Sequence, residues 1–269
     1  VTFIELGLIT CFIGFLASSV LCAKSIYSKS ATNAKAILLV SVLSTAIQLV
    51  IARQALYIDN QIHLSLASMS LLIAGLINLA VVVRSIKQLN PMMIIVTTGF
   101  SALLSLLLLA TPLSSALYTG GVTASSIALV VHIALSVGAY CILVMASLYA
   151  IQFHYIDSKL KAKTLSLNSF LPPLNIVERQ HFNLMALGLV LLTAALLTGF
   201  MFLDTMLSKE YAHKTALSLI AWGIFLILTI GHKVYGWRGT NSAFATVIAA
   251  VILSLAYFGS RFVKEILLN

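Results

Sequence analysis

The apolar residues of this chain fall into about eight blocks, each near the length of a bilayer crossing and separated from the next by a short polar hinge. A helix rises 1.5 Å per residue, so roughly 20 apolar residues cover a hydrocarbon core of about 30 Å. The blocks lie at about 4–23, 36–57, 64–83, 91–111, 123–152, 182–204, 215–232 and 243–262. They are rich in Leu, Ile, Val and Ala without strict alternation, and Gly75, Gly99, Gly138, Gly188 and Gly199 lie inside them. That pattern predicts helices rather than barrel strands, because a lone helix already satisfies its backbone polar groups in lipid. With 61% hydrophobic and 9% charged residues, 269 residues folding in water would expose large apolar faces. The expected fold class is therefore all-α: a polytopic integral membrane protein of about eight transmembrane helices, with the bilayer as its solvent. The longest hinge, about Phe153 to His181, is too short for a soluble domain, so a single transmembrane domain over 1–269 is the expected division.

Charge placement orients the spans. Lys24, Lys29 and Lys35 follow the first span, Arg84 and Lys87 the third, Lys159, Lys161, Lys163 and Arg179 the fifth, and Lys233 and Arg238 the seventh. These are 11 of the 16 Lys and Arg residues, all on one side. The opposite hinges hold Asp59, the chargeless stretch Pro112 to Val122 and the mixed segment Asp204 to Lys214. Basic residues are retained on the cytoplasmic side, so both termini are expected on the outer, periplasmic side. The net charge of +9 is then a topology signal with attraction to anionic lipid. No basic or aromatic reading surface accompanies it, so nucleic acid is not an expected partner.

Cys11 and Cys22 lie in the first span and Cys141 in the fifth, with no CxxC, so they read as small apolar packing residues. The start of the chain lacks a basic n-region and a small-residue cleavage site, and span 1 is expected to remain as an anchor. In the longest hinge, Lys159, Lys161 and Lys163 precede Leu165, Leu167, Phe170 and Leu171, then Pro172-Pro173 and Glu178-Arg179. This mixture suits a segment lying at the cytoplasmic interface, and equally a plain connector.

Ionisable residues within apolar spans are expensive, so each is a site candidate. His132 lies some nine residues inside span 5, about 13 Å deep, too far to snorkel. A neutral imidazole there could ligate haem iron or another metal, or hydrogen-bond a neighbouring helix. His232 ends span 7 near the cytoplasmic interface, within Gly231-His232-Lys233-Val234-Tyr235-Gly236-Trp237-Arg238-Gly239. Because spans 5 and 7 run in opposite senses, the two imidazoles differ in depth by roughly 10 Å or more. Opposite axial ligands of one iron need nitrogens only about 4 Å apart, so the pair is not expected to share one haem. Arg53, near the outer end of span 2, could pair with Asp59, meet an anionic group such as a propionate, or snorkel. His63, His154, His181 and His213 lie in or beside hinges and are expected to be solvated; His63 and His213 are the imidazoles available to an outer site. No HExxH, GxSxG, Walker-type glycine loop or paired intramembrane carboxylate is present, so catalysis by side chains is not expected.

The stretch Trp222 to Phe258 joins a span ending in His232, a hinge Gly236-Trp237-Arg238-Gly239 and a last span closing on Tyr257-Phe258-Gly259. His132 with Ser136 and Tyr140 forms a second motif, and Pro172-Pro173-Leu174 through Glu178, Phe182, Leu192-Thr193 and Gly199 a third. In these motifs the chain resembles the cytochrome c assembly family, the membrane haem-handling proteins of the CcsA, CcmC and HemX type, over about residues 60–262. The resemblance implies a multi-pass protein of the bacterial inner membrane that handles haem, of the b type, without catalysing a reaction. It implies that His132 matches the outward-side haem ligand and His232 a ligand of haem held within the membrane. Arg53, Trp237 and Arg238 become secondary candidates for haem contact, the two arginines toward propionates.

The departures are as informative. Haem-handling relatives carry a tryptophan-rich outer platform with a Trp-Asp motif; this chain has only Trp222 and Trp237, and Ser208 to Thr215 contains neither Trp nor Asp. CcsA-type relatives also extend to a second outer histidine, whereas this sequence reaches Asn269 without one. An iron on His132 would need another trans ligand, such as His63, His213, a Met or a partner protein. The competing expectation is an accessory or regulatory subunit without haem, partnering another inner-membrane protein through small residues such as Gly188, Ala194, Ala195 and Gly199. A small-molecule transporter is a more distant one.

Overall fold

The computed structural model describes residues 3–27, 34–58, 61–62, 65–87, 89–110, 127–163, 171–202 and 212–259. Among them, eight helices are long and apolar enough to cross a membrane. They are α1 (Phe3–Tyr27), α2 (Ala34–Leu56), α3 (Leu66–Lys87), α4 (Pro91–Ala110), α5 (Ile127–Lys161), α6 (Leu174–Phe202), α7 (Ala212–Tyr235) and α8 (Thr240–Ser254). The last continues as a π-helical turn, Leu255–Gly259. Strands β1 (Tyr57–Ile58) and β2 (Gln61–Ile62) pair antiparallel, Tyr57 opposite Ile62.

The chain divides into two compact units, one built from α1–α4 and one from α5–α8 with the π turn. In the first, α1 packs on α2 and α4, and α3 packs on the same two, closing a four-helix ring. Its apolar core joins Leu8, Cys11 and Phe15 of α1 to Ile51, Ala52 and Ala55 of α2, Ala67 and Leu71 of α3, and Ala102 and Leu108 of α4. Its outward side chains are also apolar, among them Leu39, Leu43, Val50, Val83, Phe100 and Leu103. Hydroxyls are turned inward instead: Ser18 bonds Ser41 at 2.6 Å, and Ser19 bonds Thr98 at 2.8 Å. An apolar exterior over a partly polar interior is the arrangement expected when the solvent is lipid. The second unit repeats the neighbour order: α5 packs on α6 and α8, and α7 packs on α6 and α8.

The longest hinge is shorter than the sequence suggests. Helix α5 runs to Lys161, carrying an i,i+4 ion pair between Asp157 and Lys161 at 2.7 Å, and closes at Lys163, whose φ of 54° is left-handed. Helix α6 starts at Leu174 rather than near 182, because Pro173 offers the first accepting carbonyl to the amides of Ile176 and Val177. Proline has no amide hydrogen to lose there and stops nothing that follows it. Glu178 and Arg179 thus sit on the first turns of a helix rather than in a hinge. The interfacial segment expected after Lys163 falls largely on 164–170, outside the described residues. Outside them too lie His63, Asp59, Pro112 to Val122 and Asp204 to Tyr211.

Candidate functional site

His132, Ser136 and Tyr140 recur every fourth residue and so share one face of α5. The Nδ1–H of His132 donates to the carbonyl oxygen of Ala195 on α6 at 2.9 Å, with Thr198 Oγ1 3.4 Å from the same nitrogen. A carbonyl can only accept, so Nδ1 carries a proton, and in the neutral imidazole the lone pair is then on Nε2. The Ser136 hydroxyl lies 3.5 Å from Nε2. Two turns further, Tyr140 bonds Ser254 of α8 at 2.9 Å and stacks on Tyr257 of the π turn, with Phe258 edge-on. The motif that carried the family resemblance in α5 is therefore a contact surface with α6 and α8.

His232 is held in a different way, by the loop that follows it. Gly236, with φ of 69°, and Gly239, with φ of 86°, adopt left-handed backbone and fold Gly236-Trp237-Arg238-Gly239 back over the end of α7. The amide of Trp237 donates to the Gly231 carbonyl at 3.1 Å, and the Trp237 carbonyl accepts from His232 Nδ1 at 2.9 Å. The indole lies where a Cβ on residue 231 would have to be, so only glycine fits there. His232, like His132, thus carries a proton on Nδ1. One face of its ring lies on Phe182 of α6, centroids 3.5 Å apart.

Both imidazoles donate their other ring nitrogen to a backbone carbonyl, which is the outer-shell arrangement that orients a metal-ligating histidine and raises its basicity. Each therefore fits single ligation of a haem iron. They do not fit joint ligation: His132 meets α6 at Ala195 and His232 meets it at Phe182. At 1.5 Å per residue those points are about 20 Å apart along the helix. Among the described residues no group of three or more His, Cys, Asp or Glu could hold a metal ion.

Sequence reasoning missed His181. Expected to be solvated in a hinge, it is instead 2% exposed within α6, because that helix starts earlier. Its Nε2 lies 2.9 Å from Thr246 Oγ1 of α8, and its ring lies against Phe182. The spacing Val177, His181, Met185 on one helical face was the available signal, and all three are buried. His154 and His213 are exposed, as the sequence suggests. Arg53 is exposed on the last turn of α2, and Arg238 is exposed beside the half-exposed Trp237. Trp222 donates from Nε1 to Thr193 Oγ1 at 2.9 Å, so both tryptophans are engaged within the second unit.

Eight long apolar helices define a polytopic helical membrane protein, in which His132 and His232 are each anchored to a backbone carbonyl. The chain belongs to the cytochrome c assembly protein family, whose model matches residues 10–268. It is similar to the "Inner membrane protein YpjD" of Escherichia coli strain K12, 43% identical over 139 residues, 52% of this chain and 53% of that protein. The protein of the same name from Escherichia coli O157:H7 matches to the same extent. A 28.8 kDa protein of Azospirillum brasilense, described by a nifR3-like 5′ region, is 34% identical over 141 residues, 51% of this chain and 52% of the relative. The chain spans about half the length of the curated relatives it matches. No solved structure matches.

Proposed function

We propose that this protein is a non-catalytic, haem-handling protein of the bacterial inner membrane, acting in cytochrome c assembly or in haem binding and transfer. The name of the YpjD relatives supports the inner-membrane location, and the retained basic residues support cytoplasmic placement of the α1–α2, α3–α4, α5–α6 and α7–α8 connections. The observation that carries the haem reading is the His132 Nδ1 bond to the Ala195 carbonyl, which leaves Nε2 as a ready donor to iron. His232 is the second ligand candidate, at a separate position. A bound b-type haem would bring the redox and ligand-exchange chemistry of its iron; the protein's part is to ligate, orient and shield it.

The test is the visible spectrum of the full chain purified in detergent with haem supplied, oxidised and dithionite-reduced, beside His132→Ala and His232→Ala. A stoichiometric Soret band lost in one variant identifies the ligand. No haem absorbance above background in intact wild type sinks the reading.

One observation favours a second reading, an accessory or regulatory subunit that keeps the family scaffold without haem. Both tryptophans are committed to contacts inside the second unit, to Thr193 and Gly231, and neither is left to build a haem platform. Capture of a defined inner-membrane partner by haem-free protein would favour it.

A further inference from the structure

The first bundle holds two carboxamides that its own atoms do not satisfy. Gln48 on α2 is 0% exposed and Asn78 on α3 is 1% exposed. Asn78 Nδ2 donates to Gln48 Oε1 at 3.2 Å and to Ser101 Oγ on α4 at 2.7 Å, so both of its N–H groups are spent. Gln48 Nε2 and Asn78 Oδ1 are buried without a partner. All three residues lie near the middle of their helices, so the unmet groups sit at about half the depth of the bundle.

Reassigning oxygen and nitrogen does not remove the mismatch. Turning one amide alone sets donor against donor, or acceptor against acceptor, across the 3.2 Å contact. Turning both keeps the contact, with Ser101 donating instead of accepting, and leaves Gln48 Oε1 and Asn78 Nδ2 unmet in place of the former pair. Every consistent assignment leaves one donor and one acceptor orphaned on two amides that are bonded to each other. In hydrocarbon such groups are costly, since no bulk water is there to meet them.

The surroundings set the chemistry of what would fit. The apolar core from Leu8 to Ile51, Ala67 and Leu108 occupies one end of the bundle. Toward the other end, which carries Lys24, Lys35, Arg84 and Lys87, the interior presents the hydroxyl pairs Ser18–Ser41 and Ser19–Thr98. No Asp, Glu, Lys or Arg is buried in this unit among the described residues, so nothing there would balance a charged solute. We propose that Gln48 and Asn78 form a binding site for a small uncharged molecule that donates one hydrogen bond and accepts another. Water has that chemistry, and so has the hydroxyl or carboxamide of a small organic compound.

The experiment is a structure of the full chain in lipid nanodiscs at a resolution that shows ordered water, for wild type and for the double variant Gln48→Leu/Asn78→Leu. It is paired with mass spectrometry of small molecules extracted from each preparation. Density within hydrogen-bonding distance of both amides in wild type, lost in the double variant, supports the site. A single-oxygen peak with no extracted compound identifies water; a larger one with a compound present only in wild type identifies an organic ligand. Amides rearranged onto protein atoms, with no density between them, overturn the proposal. That outcome is read in wild type and does not depend on the variant folding, and it is indifferent to whether the protein binds haem.

Discussion

The imidazole of His232 lies face to face on the ring of Phe182, with centroids 3.5 Å apart and planes 5° from parallel. The stack fixes the plane of the ring, and the Nδ1 bond to the Trp237 carbonyl fixes its rotation within that plane. A side chain at the end of α7 is thus aimed by α6 on one side and by its own following loop on the other.

Phe182→Leu retains most of the buried volume but removes the stacked face, and should destabilise by about 1 kcal/mol. Phe182→Ala also leaves a cavity and should cost about 3–5 kcal/mol. Thermal unfolding of both variants in one detergent checks the order. Equal losses would mean that Phe182 contributes volume alone.

The loop makes an independent prediction. A Cβ on residue 231 collides with the Trp237 indole, so Gly231→Ala should displace the loop and cost about 1–3 kcal/mol, as overpacking does. Removing the obstacle should restore much of that loss: Gly231→Ala combined with Trp237→Leu should be less destabilised than the two single effects added. A strictly additive double variant would place the strain elsewhere.

His181 and Thr246 couple α6 to α8 through a buried hydrogen bond of 2.9 Å, and Thr246 Oγ1 also lies 3.7 Å from Met185 Sδ of α6. Thr246→Val strands the imidazole nitrogen and should cost about 1–3 kcal/mol. His181→Leu with Thr246→Val removes both polar partners together and should be milder than the sum of the singles. Measured additivity in this cycle would show that the bond does not couple the two helices.

The eight helices were legible because hydropathy over some twenty residues reports what lipid selects. The same averaging hid what lies inside the blocks. Gln48 and Asn78 are single amides in long apolar runs and barely lower the mean, although they carry the unmet hydrogen-bonding groups of the first unit. The start of α6 was misread because Glu178 and Arg179 resemble a hinge, whereas Pro172-Pro173 marks the helix start and the residues at 177, 181 and 185 point inward. The glycines of Gly236-Trp237-Arg238-Gly239 were visible as a motif, but their purpose needed the backbone: left-handed φ at 236 and 239 returns Trp237 to Gly231. The depth difference between His132 and His232 came from counting residues alone, and the contacts of the two rings on α6 agree with it.

Asp157 meets Lys161 at 2.7 Å and accepts from Thr240 Oγ1 at 3.1 Å, linking the end of α5 to the start of α8. Lys161 is 73% exposed, so solvent screens the ion pair and Lys161→Ala should cost no more than about 0.5 kcal/mol. Asp157→Ala also removes the acceptor for Thr240 and should cost about 0.5–1.5 kcal/mol. Chemical unfolding at low and high salt separates the two, since only the ion-pair contribution should fade with salt.

His132 and His181 are both histidines bonded to a neighbouring helix, but His181 is buried and His132 only partly so, which makes His181 the one expected to act as a strut. Loss of the His181 side chain empties a site that is 2% exposed and removes the nitrogen beside Thr246 Oγ1, which keeps only the Ser242 carbonyl of its own helix and the weak acceptor Met185 Sδ of α6. Loss of His132 leaves the Ala195 carbonyl, which still accepts from Thr198 Oγ1 at 2.9 Å, and the Ser136 hydroxyl, whose contact with the ring is long at 3.5 Å. His132→Leu should therefore cost about 1 kcal/mol or less and leave the unfolding temperature close to wild type. It should nevertheless abolish the spectral response to added haem if His132 Nε2 is the iron ligand. A near-native fold with the response gone assigns His132 to ligation. A large loss of stability would assign it to the α5–α6 contact instead, and the haem reading would then rest on His232 alone.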